Sequence, residues 1–364
     1  MQVRAHLAQH ESVDDLPLLT ETATVTGVTA MDHNRTEEIV AALRETLDAH
    51  GGEAWADERP DDDAACERWI RDRLDAVDHL ASPRPLTEFL PEHRRDGDVG
   101  KKLDALQARY CQPYPSLLRI TVDPEVPVEF VPGEYVAVRF EGTSRAYSIA
   151  SAPSRDDLEF CVSRVPGGRL TSEFAVDLEA GDTVTLRGPY GELALEEPSP
   201  RDLVFLATGT GVAPLKSMIE HCFESGLDRY EGQQRDVWLF LGAPWADTLP
   251  YRDRFETLAA DRENFHFVPT LSRESYLTDW DGETAYVQYA LATYLDREAV
   301  DADAQPDAFR QYLDAEPRTA IDARIDPATV EVYACGLNAM VTDLVDAAER
   351  LGVPEEHTQF EGFG

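Results

Sequence analysis

Along residues 21–32, ETATVTGVTAMD, β-branched residues alternate with small or polar ones, a period of two that predicts a strand. The same texture returns over 117–140: LLRITVD, a turn at Pro124 to Pro127, then EFVPGEYVAVRF. Between these stretches the period becomes helical. In TEEIVAALRETLDAHGG the apolar positions recur every three or four residues, Asn34 and Glu37 form a candidate capping pair, and Gly51 and Gly52 supply a stop. The runs AACERWIRDRLDAVDHL and KKLDALQARY repeat that spacing. Residues 33–110 therefore read as a helical module inserted after the first strand of a β domain. A separate helical domain over the first 110 residues is the alternative, and the strand-like 22–31 favours insertion.

From 145 to 195 short strands are punctuated by turns: RAYSIAS, DLEFCVSRV, PGG, a short helix TSEFAVDL, EAGD, then TVTLRGPYGEL. Strands so spaced predict a small antiparallel barrel. After Pro198 and Pro200 the pattern switches to continuous apolar strands alternating with helices: DLVFLAT, a helix from Pro214, DVWLFLG, a helix over Tyr251–Ala260, FHFVPTLS, and VEVYACG before a last helix. Uninterrupted apolar strands are buried on both faces, so this half predicts a doubly wound parallel sheet that binds a nucleotide at the carboxyl ends of its strands. Residues 296–328, rich in Asp, Ala and Pro, read as a surface extension without chemistry.

A chain of 364 residues fits two such domains. Five widely spaced cysteines, Cys66, Cys111, Cys161, Cys222 and Cys335, show no CxxC grouping, so no metal site, iron–sulfur cluster or disulfide framework is expected. The N-terminus MQVRAHLAQHESVDD lacks an apolar signal run, and nothing approaches the roughly 20 apolar residues of a membrane span. A cytoplasmic monomer off the membrane is the expectation. The charge changes the picture further: 33 basic against 70 acidic residues leave −37, with only Lys101, Lys102 and Lys216 as lysines. Nucleic acid is not expected as a ligand. Molar salt screens charge within about 3 Å, where such a surface stays hydrated, so adaptation to a salty cytoplasm is expected.

Four motifs carry candidate chemistry. Arg145-Ala146-Tyr147-Ser148-Ile149-Ala150-Ser151 offers a guanidinium fork for a diphosphate, an aromatic two residues on along the same strand face, and a hydroxyl beyond it. Gly168-Arg169-Leu170-Thr171-Ser172 opens the short helix with glycine and hydroxyls suited to phosphate. Thr208-Gly209-Thr210-Gly211-Val212-Ala213-Pro214 follows an apolar strand and opens a helix at proline, so phosphate can sit on free backbone N–H groups. Val332-Tyr333-Ala334-Cys335-Gly336-Leu337 ends the last strand with a thiol beside a glycine, leaving a slot for a flat ring. Each has an ordinary reading alone: a half-buried strand tyrosine, a capped helix, a turn, a core cysteine. Their order, and the ending Glu361-Gly362-Phe363-Gly364, carries the argument.

That order resembles the ferredoxin–NADP reductase family, nearest its plant-type branch, over 111–364 and weakly over 21–32. The resemblance implies an antiparallel Greek-key β-barrel FAD domain over 1–197, carrying the 33–110 insertion, and an α/β doubly wound parallel-sheet NADP domain over 198–364. It implies that Arg145 binds the FAD diphosphate, Tyr147 stacks on one flavin face, Ser148 approaches N5, Gly168, Thr171 and Ser172 form the second diphosphate site, and Phe363 covers the opposite face. Thr208, Gly209, Thr210, Gly211 and Pro214 would hold NADP phosphates, with Gly242 and Leu249 bordering the nucleotide. Cys335, Gly336 and Glu361 would lie beside the nicotinamide. Leu271-Ser272-Arg273-Glu274 and Tyr286-Val287-Gln288 are similar to the family's S-R-E and Y-x-Q pair, in which Ser and Arg grip the 2′-phosphate and Tyr packs on adenine; a fork plus a hydroxyl suits a phosphate dianion. Three departures stand out: Ser163-Arg164 replaces Lys-Arg, the loop Val165-Pro166-Gly167 is short, and the terminal residue is Gly364 with Phe363 before it.

The implied activity is reversible hydride transfer between NADPH and FAD, Ser148, Cys335, Glu361 and Phe363 being the catalytic set, with a ferredoxin or similar iron–sulfur carrier as one-electron partner. The reductase component of an oxygenase is one alternative. A non-redox regulatory or assembly subunit on the same fold is another.

Overall fold

The computed structural model describes residues 19–75, 85–164, 174 and 176–363. By internal packing they fall into two units: 19–32, 116–272 and 281–363 in one, 33–115 and 273–280 in the other.

The first unit contains two sheets. Six strands, β1 (Leu19–Ala30), β2 (Leu117–Pro124), β3 (Tyr135–Phe140), β4 (Thr143–Ser148), β5 (Leu158–Ser163) and β6 (Thr183–Tyr190), form an antiparallel sheet in the order β4-β3-β6-β1-β2-β5. A bridge between Ile149, just past β4, and Phe160 of β5 brings the two edges together into a near-closed barrel. Period-two patterning turns Leu118, Ile120 and Val122 inward, against Val136, Val138, Phe160, Val184 and Leu186. β1 and β2 are antiparallel neighbours, so residues 33–115 leave and re-enter the sheet at one place. Asp32 fixes that place: its carboxylate accepts from the backbone N–H (2.8 Å) and hydroxyl (2.6 Å) of Ser116.

The second sheet is parallel. β7 (Asp202–Thr208), a minor hairpin of β8 (Arg229–Tyr230) and β9 (Gln233–Gln234), β10 (Val237–Ala243), β11 (Phe265–Leu271), β12 (Val330–Leu337) and β13 (Thr358–Phe363) follow in sequence, and the main sheet runs β11-β10-β7-β12-β13. β10 is buried throughout, as its unbroken apolar run predicts. Because β7 is central, the chain builds outward to β11 and then crosses back to β12. The topological switch point thus lies between the carboxyl ends of β7 and β12.

Two stretches differ from the sequence expectation. Residues 296–328 are more than a surface excursion: Phe309, Leu313 and Ile325 are buried in the core with Trp238, Phe240 and Tyr294, and the rings of Tyr289 and Tyr312 stack at 4.9 Å. Spacing of charge and proline hid these scattered anchors. The C-terminal segment forms a parallel edge strand, β13, held by the exposed side of β12.

The second unit is helical. α1 (Thr36–His50), α2 (Glu53–Glu58), α3 (Asp63–Asp75), α4 (Glu92–Arg95) and α5 (Asp98–Tyr110) bury the apolar stripe Ile39, Leu43 and Leu47 of α1 with Ile70 of α3 and with Leu103 and Leu106 of α5. Trp55, Trp69 and Phe89 meet edge to face at 5.4–5.8 Å. The expected capping pair does not form as a box. Asn34 accepts from the Thr36 N–H at 2.9 Å, but Glu37 turns outward to pair with Arg71. The glycine stop does hold: a Cβ at Gly51 would lie 2.6 Å from the Leu47 carbonyl oxygen. Segment 273–280, which follows β11, belongs to this unit through Glu274, whose carboxylate takes both oxygens to the Arg35 guanidinium at 2.9 and 3.0 Å.

Candidate functional site

The switch point gathers the glycine motif and the thiol. β7 ends at Thr208, and Gly209 adopts φ +50° with open space where a side chain would be, a conformation glycine takes without strain. Gly211 is required for a different reason. A Cβ there would lie 2.3 Å from the Cys335 carbonyl oxygen, so only glycine lets the turn cross β12 this closely. Helix Val212–Ser225 then begins, two residues before Pro214, with its first-turn N–H groups and positive dipole end at the sheet edge. Turn 209–211 packs against β7, β10 and β12 and also against β5 of the barrel. It is the place where the two sheets' chemistry can meet.

On β12 and β13 the register pairs Cys335 with Glu361, Gly336 with Gly362 and Leu337 with Phe363. Cys335 is fully buried and Glu361 nearly so. Burial, then the Glu361 carboxylate, pushes the Cys335 thiol well above the ordinary thiol range, so it stays protonated at neutral pH. It can therefore pack and donate, but it is no nucleophile. Phe363 is half-buried, and Gly364 lies outside the described residues.

The remaining nucleotide candidates sit at neighbouring strand ends. A Cβ on Gly242, near the end of β10, would lie 2.8 Å from Val287 and 3.0 Å from Thr208. Leu249 is buried. Ser272 is half-buried and donates its N–H to the Ala243 carbonyl at 3.1 Å; the next residue, Arg273, is exposed. Tyr286, 65% exposed, precedes helix Val287–Thr293, in which Gln288 is half-buried. An aromatic so exposed suits a flat base.

In the barrel, Arg145 is exposed on β4 opposite Val138, and its guanidinium donates to the Ser144 carbonyl. Ser148 is half-buried opposite Tyr135. The half-buried Tyr147 ring leans on Phe174 and Phe160, with centroids 5.8 and 6.4 Å away. Burial raises its phenol above the usual value. Gly168, Thr171 and Ser172, with the loop at 165–167, lie outside the described residues. Among the described residues neither Arg145 nor Arg273 has an ion-pair partner, although acids outnumber bases 70 to 33. Arg119, Arg139 and Arg229 are likewise exposed without one, so pairing state does not set Arg145 and Arg273 apart.

Sequence reasoning passed over Lys216 and Glu159. Lys216 lies in the helix that starts at the glycine turn and reaches the Ala150 carbonyl at 3.0 Å, while Glu159 of β5 stands 3.2 Å from its ammonium. A lysine five residues past G-x-G has no signature; only its scarcity here marked it.

The chain matches family models described as an oxidoreductase FAD-binding domain over residues 116–195 and an oxidoreductase NAD-binding domain over 205–346. Ferredoxin–NADP reductase B of Sorangium cellulosum is 34% identical over 221 residues, covering 60% of this chain and 78% of that protein. Phenol hydroxylase P5 protein of Acinetobacter pittii is 34% identical over 186 residues, covering 50% of this chain and 51% of that one. The chain spans about half the length of several of the curated relatives it matches. Among solved structures, the Amycolatopsis cytochrome P450 reductase GcoB aligns with a TM-score of 0.54 at 26% identity, over 68% of this chain and 66% of that one. Among the described residues no helix is long and apolar enough to cross a membrane. A barrel strand that ends in R-x-Y-S, a glycine turn at a parallel-sheet switch point and these relatives lead to one assignment: the chain belongs to the ferredoxin–NADP reductase-like family of FAD- and NAD-binding oxidoreductases.

Proposed function

We propose that the protein exchanges hydride between NADPH and FAD and passes single electrons to or from a ferredoxin-type iron–sulfur partner, in a salt-rich cytoplasm. One observation carries the reading: Cys335 and Glu361 are register partners at the switch point, beside a glycine turn that also packs against the barrel. When bound, FAD supplies a ring that takes up a hydride from reduced nicotinamide and releases electrons one at a time. The chain supplies binding, orientation and dryness. Arg145, with Gly168, Thr171 and Ser172, would hold the FAD diphosphate; Tyr147 and Phe363 would cover the two ring faces and Ser148 would hydrogen-bond the ring. Thr208, Gly209, Thr210, Gly211 and Pro214 would present backbone to the nucleotide phosphates, and Gly242 and Gly336 would leave room for it. Ser272 and Arg273 favour a 2′-phosphate, hence NADPH over NADH, with Tyr286 and Gln288 on the adenine side. Cys335 and Glu361 would orient the nicotinamide.

Anaerobic titration of the FAD-loaded protein with NADPH and, separately, NADH tests this by the visible flavin band. Bleaching at lower NADPH than NADH is expected. A protein that stays colourless after FAD reconstitution in high salt would leave the non-redox reading instead. Cys335→Ala and Glu361→Ala should slow flavin reduction at least ~10-fold with FAD retained; unchanged rates in both would remove these residues from the mechanism.

The similarity to a phenol 2-monooxygenase reductase component, 34% identical over 185 residues, favours a second reading, the reductase component of an oxygenase. Turnover with ferredoxins against turnover with an oxygenase partner separates the two.

A further inference from the structure

Of the three lysines, Lys101 and Lys102 lie on α5, the first exposed and the second half-buried, whereas the side chain of Lys216 is only 7% exposed. A buried ammonium persists where it is paired and hydrogen-bonded. Its Nζ donates to the Ala150 carbonyl at 3.0 Å and lies 3.2 Å from Glu159 Oε1 and 3.0 Å from Glu220 Oε2. The second oxygen of Glu220 accepts from Arg254 at 2.8 Å, and the Tyr251 ring centre stands 5.0 Å from Nζ. The next residue, Ser217, donates its hydroxyl to the Ser151 carbonyl at 2.7 Å. Two consecutive side chains of one helix thus grip two consecutive carbonyls.

Those carbonyls lie two and three residues beyond Ser148. Their other flank is bound to β5: the Ala150 N–H donates to the Glu159 carbonyl at 2.8 Å, and the Glu159 N–H to the Ser151 hydroxyl at 3.1 Å. One ammonium therefore joins the end of segment 145–151, the strand β5, and the helix that begins at turn 209–211. An apolar side chain would fill the space without the cost of dehydrating charges. What the ammonium adds is direction, since it donates to Ala150 and Glu220 while its charge faces Glu159 on β5.

We propose that Lys216 is a positioning residue for hydride transfer, setting the register between the segment that holds the flavin and the turn that holds the nicotinamide nucleotide. This rests on the functional reading above. A misplacement of about an ångström between reacting groups can cost ~100-fold in rate.

The test uses the full chain loaded with FAD in high salt, as wild type, Lys216→Met and Lys216→Arg. Mixed anaerobically with a series of NADPH concentrations, Lys216→Met should lower the limiting rate of flavin bleaching by ~10- to 100-fold, with FAD content and the half-saturating NADPH concentration held within about twofold. Lys216→Arg should recover most of that rate. A second readout needs no cofactor: in protein without added flavin or nucleotide, hydrogen exchange should quicken at the Ala150 and Glu159 amides in Lys216→Met and stay unchanged in β2. Should Lys216→Met fail to fold, Lys216→Met/Glu159→Gln, which removes the ammonium and the carboxylate on β5 and leaves Glu220 paired with Arg254, replaces it in both measurements. A folded variant that bleaches at the wild-type rate overturns the proposal. So does a rate loss that arginine fails to restore and that tracks loss of FAD, the mark of a merely structural role. Wild-type protein that holds FAD yet is bleached by neither nucleotide overturns the functional reading itself, and the proposal with it.

Discussion

Gly211 shows how a single missing carbon sets a site. The Cβ of alanine would stand 2.3 Å from the Cys335 carbonyl oxygen and 2.7 Å from the Gly336 Cα, both backbone atoms of a buried strand. Gly211→Ala is expected to cost roughly 1–3 kcal/mol, the range of overpacked cores, and to weaken nucleotide binding; urea unfolding and a nucleotide titration measure both. An unchanged midpoint would mean that the turn moves off β12. Asp202, at the start of β7, makes a pH prediction. Burial holds its carboxyl above the usual carboxylate range, against the N–H of Asp236 that donates to it at 2.7 Å and pulls the other way. A carboxyl raised in the fold destabilises while ionised, and that loss is recovered as pH falls through its folded value. Asp202→Asn keeps an acceptor for Asp236, so it should melt higher than wild type at pH 7, the gap closing near pH 4. A gap that widens on acidification would contradict the sign. Residue chemistry of this kind was only partly legible: R-A-Y-S and G-x-G are local patterns, whereas the acceptors of Lys216 and the carbonyl facing Gly211 come from remote parts of the chain.

At the level of elements, the helical unit is tied together internally by an ion pair that no local pattern announces. Arg35 and Glu274 are 239 residues apart in sequence, with side chains 3% and 2% exposed, and Thr278 adds a hydroxyl to the same carboxylate at 3.0 Å. Burial opposes the charge on Arg35, but the hydrogen bonds and charges of Glu274 and Glu38 prevail and hold the guanidinium protonated. Removing one partner strands the other. Arg35→Met or Glu274→Gln should cost about 3–5 kcal/mol, while Arg35→Met/Glu274→Leu should return most of it; denaturant midpoints of all three variants decide. If the double variant is no better than the singles, the pair is not an isolated unit. The S-R-E pattern drew the sequence reading to Arg273, but the packing makes Glu274 the buried member and leaves Arg273 exposed. The tail follows the same rule. Nothing in QFEGFG marks a strand, yet β12 offers it an open edge, and pairing there brings Glu361 opposite Cys335.

For the whole molecule the dominant quantity is the charge of −37. Repulsion among 70 acids weakens any compact state in dilute buffer, and molar salt shortens its reach to about 3 Å. The melting temperature is expected to climb from low to molar KCl, and a flat or falling series would sink the salt-adapted reading. Steering of an acidic carrier toward this surface would be weak at such salt, so docking should depend on apolar contact. By itself the sequence determined the two architectures, since period-two and unbroken apolar runs bury their faces as an antiparallel barrel and a parallel sheet, and it located the glycine turn at 209–211, whose conformation is local. The tertiary structure alone decided the strand order that makes a switch point between β7 and β12, the register that sets Cys335 beside Glu361, and the buried partners of Lys216 and Arg35. The reason is physical: periodicity records which face of an element is buried, and only folding determines what that face meets.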